Sequence, residues 1–422
     1  MSSSDLTPPP LKNDCFALPA GAHWAPVDEV YDLLRTRLDV VVGRETVPIG
    51  KAMNRVLATD VLANRANPPA ANSAVDGYAV FGATFADGEH IVPLIEGRSA
   101  AGDPFQGKFT QSEALRILTG ANMPAGADTV ILQEDVTLGD GEIAFRGPLK
   151  PGSNARKAGE DFNTGDVLLR AGRRVSVADM ALLAAAGVSE VELRKPLRVA
   201  VLSTGDELAE AGSDAAAEQI FDANRPMLLA LVQRLGHEAI DIGRIPDDRE
   251  TLRSALDRAA SEADLILTSG GASAGDEDHM SALLEETGAM ALWRVAIKPG
   301  RPLALGMWQE TPVFGLPGNP VAAMVCALIF ATPSMGVLAG QGWRVPEGVW
   351  VPAAFDKRKK AGRREYLRAR LRNGKAEVFA SEGSGRISGL SWAEGLVELP
   401  DDAIDVTEGT LVRYYSYGEF GI

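Results

Sequence analysis

The stretch LRVAVLSTGDE, residues 197–207, determines the fold class that we predict for this chain. Its first half is an apolar run with the composition of a strand buried on both faces, and its second half is a loop of small residues and acids. Helical patterns near residues 225–235 and 249–261 alternate with strand patterns near residues 238–242 and 265–267. Because strand and helix alternate, the sequence predicts a parallel sheet with helices on both faces.

Three loops of small residues follow apolar strands in this region, at residues 203–207, 269–271 and 317–320. Ligands of parallel sheets sit beyond the carboxyl ends of the strands, and backbone N–H groups of glycine loops can bind phosphate oxygens. The stretch LTSGGASAGDEDH, residues 267–279, combines such a loop with three consecutive acids. Together the loops predict a polyanionic ligand, although any one of them is also consistent with an ordinary tight turn.

Acids at the same sheet edge predict a divalent cation. Mg²⁺ is typically held by one or two carboxylates and by phosphate oxygens, so a cation between the acids and the anion would remove their repulsion. Basic side chains nearby can hold the rest of a multiply charged ligand. The acids are Asp206, Glu207, Asp247, Asp276 and Asp278, and the basic residues are Arg294, Lys298 and Arg301.

Length and charge narrow the classes of protein. A chain of 422 residues is expected to form two to four domains. Its net charge of −15 argues against general nucleic-acid binding, and we find no apolar run long enough to cross a bilayer. Cys15 and Cys326 make neither a disulfide framework nor a zinc pattern, and the four scattered histidines are interpreted as structural. We therefore expect a cytoplasmic protein.

The texture of the sequence changes along the chain. Residues 1–23 form a loose tail rich in serine and proline, and a helix is predicted over residues 26–38. Short β-type runs between glycines and prolines mark residues 63–166. Ser176 and Asp179 have the spacing of a helix capping box. The last segment, residues 347–422, has the short alternating runs of a small β domain.

Several short motifs occur in a fixed order over nearly the whole chain. They are NSAVDGYA (72–79), LTGA (118–121) with Pro124 and GAD (126–128), GED (159–161), STGDEL (203–208), SGGASAG (269–275), AIKPG (296–300) and GLPGNP (315–320). In this order and spacing they resemble the motifs of the molybdopterin molybdenumtransferases, the molybdenum insertase family that includes bacterial MoeA and the E domain of gephyrin.

The resemblance implies an α/β and β multidomain fold. The parts implied are a disordered tail (1–23), a discontinuous helical or linker domain (24–62 with 167–195), an inserted β-rich module (63–166), an α/β molybdopterin-binding domain with a parallel sheet (196–342) and a C-terminal small β barrel (347–422). It also implies an elongated homodimer, in which the active site lies between the α/β domain of one subunit and the β module of its partner.

The implied reaction accounts for glycine loops beside acids. The substrate would be molybdopterin with an adenylyl group on its phosphate. Molybdate would enter the dithiolene while the phosphoanhydride is hydrolysed in a Mg²⁺-dependent step that releases AMP. The resemblance also implies transient contact with a molybdopterin adenylyltransferase and with molybdoenzymes.

Site residues carry over from the resemblance by position. The catalytic set is Asp76, Thr119, Asp161 and Glu207, and the metal ligands are Asp247 and Asp278. The substrate-binding set is Ser269, Gly270, Gly271, Ser273, Arg294, Lys298, Arg301, Pro317, Gly318, Asn319, Arg363 and Ser384. Arg363 and Ser384 lie in segments that resemble the family's molybdate-facing ones.

The sequence departs from the family pattern at two places, and two functions other than a molybdenum insertase use similar residues. Ala71 stands where the family usually has an acid, and SGGASAG replaces SGGVSVG. Ala71 is the one feature that favours a non-catalytic molybdopterin-binding or scaffold protein over an enzyme. A Mg²⁺-dependent nucleotide transferase would use similar loops, but no phosphate loop of the GxxxxGK type is present.

The basic run of residues 357–360, with Arg363 and Arg364, resembles a short RNA-binding patch. It contains no interleaved aromatic residues, and the chain as a whole is acidic. We therefore interpret the run as a solvated strand or loop, with Arg363 as a possible exception.

Overall fold

The computed structural model describes residues 24–270, 279–286, 292–300, 302–381, 383 and 385–422. These residues form two compact units. One consists of the described residues up to Gly43 together with Lys195–Ile422, and the other of Arg44–Arg194.

The helices and strands are numbered along the chain. The helices are α1 (Val27–Arg37), α2 (Val177–Ala185), α3 (Asn224–Arg234), α4 (Arg249–Glu262), α5 (His279–Glu286), α6 (Pro320–Cys326), α7 (Thr332–Leu338) and α8 (Ser388–Trp392). The strands are β1 (Arg44–Pro48), β2 (Val61–Leu62), β3 (Asn72–Ser73), β4 (Gly77–Val80), β5 (Gly88–Ser99), β6 (Ala114–Ile117), β7 (Thr129–Leu132), β8 (Thr137–Leu138), β9 (Glu142–Gly147), β10 (Ala155–Arg156), β11 (Val167–Leu169), β12 (Glu190–Arg194), β13 (Arg198–Thr204), β14 (Leu208–Ala209), β15 (Ile220–Phe221), β16 (Glu238–Ile245), β17 (Leu265–Ser269), β18 (Leu292–Arg294), β19 (Ile297–Lys298), β20 (Pro302–Trp308), β21 (Thr311–Leu316), β22 (Val349–Pro352), β23 (Lys357–Lys359), β24 (Arg364–Arg372), β25 (Lys375–Val378), β26 (Gly395–Leu399), β27 (Ile404–Val406) and β28 (Leu411–Ser416).

A six-stranded sheet organises the α/β part of the first unit, in the order β16-β13-β17-β21-β20-β18. The first four strands are parallel, as the alternation of strand and helix predicts, and β20 and β18 extend them in antiparallel pairs. The parallel part of the sheet is therefore confirmed, whereas its far edge is mixed.

The two faces of this sheet are covered by different helices. Val199 and Val201 of β13 join a buried cluster with residues of α1, α3 and the helical stretch 320–338. Ala200 and Leu202 point the other way and pack with residues of α4 and α5. Because side chains alternate along a strand, an uninterrupted apolar run fits a sheet that is covered on both sides.

The helical stretch Pro320–Leu338 corrects the expectation that no apolar run is long enough to cross a bilayer. It has 19 residues and the length and composition of a membrane span. However, 83% of its most apolar window is buried inside the protein, and Val325, Leu328 and Phe330 belong to the core. Its length and hydrophobicity therefore reflect a central core helix.

The predicted C-terminal barrel is confirmed by its hydrogen bonding. Strand β24 pairs with β25 and β26, β26 with β28, and β28 with β22. A bridge between Ala353 and Ala376, with Ala354 N–H donating to the Ala376 carbonyl at 2.8 Å, joins the ends of β22 and β25. The sheet therefore closes on itself.

The second unit contains a six-stranded sheet in the order β7-β4-β6-β5-β9-β8 and the short pairs β1–β12, β2–β11 and β3–β10. Helix α2 begins with the predicted capping box, in which the Ser176 hydroxyl accepts from the Asp179 N–H and the Asp179 carboxylate accepts from the Ser176 N–H. Both the position and the mechanism of this helix start are confirmed.

Helix α1 contacts a different core from the one that its predicted domain implies. Val27, Val30 and Leu34 pack in the cluster of the α/β sheet. The predicted discontinuous domain groups this helix with residues 44–62 and 167–195, and of these parts β1 and β12 do pair with each other. The four-domain division itself stays a prediction.

Gly270, at the end of β17, has a φ of +91°. A Cβ atom there would collide with the Thr204 carbonyl, whereas one on Gly318 would meet the Gly270 Cα at an ordinary 3.7 Å. We expect Gly270→Ala to lower the free energy of unfolding by about 1–3 kcal/mol, and the matched Gly318→Ala by less than about 0.5 kcal/mol. Urea denaturation followed by circular dichroism checks this, and equal effects of the two substitutions would contradict it.

Candidate functional site

The carboxyl edge of the α/β sheet brings the three predicted loops together. In the parallel register, Ser203 of β13 faces Ser269 of β17, and Ser269 faces Leu316 of β21. The Gly270 N–H donates to the Leu316 carbonyl at 3.2 Å. Loops that are far apart in sequence therefore begin next to one another, because the strands that precede them are neighbours in the sheet.

Asn224, which the sequence analysis missed, links two of these loops. Its amide nitrogen donates to the Ser269 hydroxyl at 2.6 Å and to the Gly318 carbonyl at 2.7 Å. Pro317 lies in the same loop, and Asn319 caps α6 by accepting from the Val321 N–H at 3.1 Å. The pattern FDANR before a helix is the signal that could have identified Asn224.

Two of the predicted acids lie side by side. The Asp206 N–H donates to the Asp247 carboxylate, and the Asp247 N–H donates to the Asp206 carboxylate, each at 3.2 Å. Glu207 is exposed, and its carboxylate lies where a side chain on Gly205 would stand. In the described ranges, no group of three or more acids, histidines or cysteines has the geometry of a metal site. Asp278 lies outside the described residues.

In the second unit, Asp76 and Thr119 are brought into direct contact. Oδ1 of Asp76 accepts from the Thr119 N–H at 2.7 Å and from the Thr119 hydroxyl at 2.8 Å. These bonds, the backbone one first, hold the pKa of Asp76 below its usual value, and Arg116 adds a smaller effect of the same sign. Asp76 is therefore an exposed and ionised carboxylate at neutral pH.

Asp161 lies against the segment that leads to Asp76. Its carboxylate accepts from the Asn67 side chain at 3.1 Å, and its N–H donates to the Asn67 carbonyl at 3.0 Å. The carbonyl of the unusual Ala71 accepts from the Met123 N–H at 2.9 Å. The structure thus places segments 67–76, 119–123 and 154–161 next to one another.

A cavity of about 170 Å³ lies within the first unit, where β19 pairs with β24. Lys298 and Lys357 line it, and their ammonium groups lie 3.3 Å and 3.2 Å from the two oxygens of Glu365. Asp356 also lines the cavity, so Lys298, Lys357 and Arg368 together with Asp356 and the adjoining Glu365 carry a formal net charge of +1.

Arg368 also lines this cavity and was missed by the sequence analysis. It is 5% exposed and donates to the carbonyls of Arg386, Ser381 and Gly383 at 2.5, 2.6 and 3.2 Å. Burial lowers the pKa of its guanidinium, which still remains protonated at neutral pH. Arg368 therefore holds the backbone carbonyls of Ser381, Gly383 and Arg386.

Two other predicted substrate-binding residues, Arg363 and Arg294, have contacts outside this cavity. The Arg363 guanidinium lies 5.8 Å from the centre of the Trp24 ring, and the Arg294 carbonyl accepts from the Ala25 N–H at 3.0 Å. These contacts do not join Arg363 to Lys298. The predicted residues Gly271, Ser273, Arg301 and Ser384 lie outside the described residues.

The basic run 357–360 is a strand that is solvated on one side only, which corrects half of its interpretation: Arg358 and Lys360 are exposed, whereas Lys357 and Lys359 are not. The side chain of Lys357 is only 9% exposed and faces Glu365. Lys359 is 3% exposed and donates to the carbonyls of Lys360, Asp401 and Asp402 at 3.0, 3.3 and 3.0 Å. Alternate residues of β23 point inward, so two of the lysines find their partners inside the protein.

The hydroxyl of Thr119 can be tested through the pKa of Asp76. Thr119→Val removes one of two hydrogen bonds to the carboxylate but keeps the backbone bond, so we expect the pKa of Asp76 to rise. Thr119→Ser keeps both bonds and should leave it unchanged. Because a depressed pKa stabilises the fold above the unfolded value, the valine variant should lose less stability as the pH falls below about 4.

Carboxyl ¹³C shifts of Asp76 recorded during a pH titration measure this directly. An Asp76 pKa that is the same in parent and Thr119→Val chains would show that the hydroxyl bond is absent in solution.

Comparison with known proteins agrees with the fold and with the order of the loops. Residues 25–187 match the MoeA N-terminal region (domain I and II), residues 200–336 a probable molybdopterin binding domain, and residues 351–417 the MoeA C-terminal region (domain IV). The molybdopterin molybdenumtransferase of Haemophilus influenzae is 39% identical over 345 residues, which cover 81% of this chain and 85% of that protein. Molybdopterin molybdenumtransferase 2 of Mycobacterium tuberculosis is 33% identical, and the match covers 88% of this chain and 94% of that protein.

Solved structures give the same result. The molybdopterin biosynthesis moeA protein of Pyrococcus horikoshii OT3 superposes with a TM-score of 0.81 at 29% identity, covering 94% of this chain and all of that one. A second structure of the protein from this organism gives a TM-score of 0.79 at 30% identity, and the match covers 94% of this chain and 99% of that one. The resemblance found in the sequence motifs is therefore confirmed, and this chain belongs to the MoeA family of molybdopterin molybdenumtransferases.

Proposed function

We propose that this protein acts in molybdenum cofactor biosynthesis, as a transferase that inserts molybdate into the dithiolene of adenylylated molybdopterin and releases AMP. The observation that carries the proposal is the meeting of three small-residue loops, at Ser203, Ser269 and Gly318, beside the carboxylates of Asp206 and Asp247. Relatives that cover most of the chain carry the name of this transferase.

The loops are suited to a phosphoanhydride. Their backbone is kept close by the Gly270–Leu316 hydrogen bond, and Gly270 leaves no room for a side chain against Thr204. Exposed N–H groups at such a turn bind anionic oxygens without a charged side chain. The role of the loops is thus to hold the pyrophosphate in place, which is most of what phosphoryl-type cleavage needs.

The acids of this edge fit a hard cation such as Mg²⁺. Asp206 and Asp247 each use one carboxylate oxygen to accept from the other's N–H, which leaves the second oxygen of each outside this pair of hydrogen bonds. Carboxylate oxygens are the ligands that Mg²⁺ prefers, and bound Mg²⁺ neutralises charge on a reacting phosphate. We assign Asp247 as a ligand, with Asp278 by resemblance, and Glu207 as the group that positions water.

The cavity between β19 and β24 is suited to molybdate, a dianion. Lys298, Lys357 and Arg368 line it, and Arg368 donates to the carbonyls of Ser381, Gly383 and Arg386. Excess positive charge in a partly enclosed space favours a small oxyanion. We propose that molybdate is bound here, and the resemblance to the family implies Ser384 as a further ligand contact.

The non-catalytic alternative rests on Ala71 alone. The Ala71 side chain is exposed, and its carbonyl belongs to an ordinary loop contact with Met123. Asp76, with its pKa held low by Thr119, keeps a carboxylate in the same segment. The names of the relatives support a transferase, and no observation on the described residues favours a non-catalytic scaffold protein.

Glu207→Gln tests the catalytic assignment. Incubated with adenylylated molybdopterin, Mg²⁺ and molybdate, the parent should release AMP, and the variant should do so about 100-fold more slowly, since a group that positions water is lost. Glu218→Gln is the matched control, because Glu218 is an exposed acid of the following loop. A parent that binds the pterin and never releases AMP would overturn the proposed function.

We further propose a cytoplasmic homodimer whose site takes the β module from the partner. Asp161 lies in one compact unit and Glu207 in the other. If the resemblance holds, mixing Asp161→Ala chains with Glu207→Ala chains should restore roughly a quarter of parental AMP release at full exchange, since half of the dimers are mixed and each has one intact site. Mixed dimers verified by mass spectrometry that remain inactive would refute the shared site.

A further inference from the structure

A single side-chain amide spans the gap between two of the ligand loops. Asn224 is 6% exposed, and its Nδ2 lies 2.6 Å from the Ser269 hydroxyl and 2.7 Å from the Gly318 carbonyl. A carbonyl oxygen only accepts, so the face of the amide turned to Gly318 must be its NH₂ group. The two hydrogens of one nitrogen are therefore used on two different loops.

Asp222 fixes the backbone from which this amide projects. Its Oδ1 accepts from the N–H groups of Asn224 and Arg225, each at 3.1 Å, and its Oδ2 accepts from the Ser203 hydroxyl at 2.5 Å. The Nε of Arg225 adds a contact to Oδ2 at 3.2 Å. Residues 222–225 thus contact the ends of β13 and β17 and the loop after β21.

We propose that Asn224 is a positioning residue, which sets the spacing between the Ser269–Gly270 turn and the Gly318 turn before any ligand arrives. Preset loops bind an anion without the cost of ordering them at the time of binding. The identity of the anion rests on the proposed function. The two hydrogen bonds from Asn224 to Ser269 and Gly318, which we call the tether, depend only on the protein.

Asn224→Asp is the sharpest variant. It is nearly the same size, but an ionised carboxylate cannot donate, so the bond to Gly318 is lost while the Ser269 hydroxyl can still donate to the new side chain. Asn224→Ala removes both bonds. Asp257→Ala is the matched control, because Asp257 accepts from Trp308 Nε1 at 2.9 Å and from the Gln309 side chain at 2.7 Å at the amino end of β21, the opposite edge of the sheet.

Hydrogen exchange of the ligand-free protein, read on peptides covering 265–270 and 315–322, tests the tether. We expect exchange of the loop amides to become about tenfold faster in Asn224→Asp and faster still in Asn224→Ala, since one lost hydrogen bond changes an opening equilibrium by about that factor. The Asp257→Ala chain should exchange like the parent in these peptides. Unchanged exchange in both Asn224 variants, or an equal increase in the control, would overturn the inference.

AMP release then separates positioning from general damage. With the loops loosened, the KM for adenylylated molybdopterin should rise about tenfold in Asn224→Asp while kcat changes less than threefold. A fall in kcat with an unchanged KM would overturn the positioning role. A parent that releases no AMP would count against the proposed function, while the exchange result would still decide the tether.

Discussion

Parallel pairing of three central strands is the constraint on which the α/β part depends. Strand β17 lies between β13 and β21 and pairs with both in uninterrupted register, so Ser203, Ser269 and Leu316 end at one level. A shift by a single residue would turn every side chain of a strand to the opposite face and mix two distinct cores. The apolar contacts on both faces therefore also fix where the loops emerge. The positions of the polar loops at this edge therefore depend on apolar side chains that take no part in binding.

What the sequence predicts well are features set by local pattern. The strand Leu265–Ser269, the capping box at Ser176 and the helix Arg249–Glu262 follow from periodicity and from helix-start residues, and all are present within two residues of the expected bounds. The parallel order follows from the rule that strand and helix alternate. These predictions succeed because the determining contacts lie within a few residues of one another.

The failures concern contacts between distant residues. Lys357 and Lys359 look like a solvated basic run, but their partners are distant in sequence: Glu365 lies in β24, and the carbonyls of Asp401 and Asp402 lie in the loop between β26 and β27. Asn224 looks like a helix-start residue, and only the strand order places it between Ser269 and Gly318. Arg368 is one basic residue among many until the fold brings the carbonyls of Ser381 and Arg386 against its guanidinium group. In each case the three-dimensional partner, rather than the residue type, defines the role.

Closure of the C-terminal sheet has a consequence for how this protein associates. Strands at the margin of an open sheet present unpaired N–H and C=O groups, which can template pairing with another chain and lead to aggregation. Here the bridge between Ala353 and Ala376 gives β22 and β25 partners within the same domain. Contacts that this part of the barrel makes with other molecules therefore depend on side chains, such as the exposed Trp350 of β22 and Leu411 of β28, and their specificity is encoded in residue identity rather than in backbone hydrogen bonding.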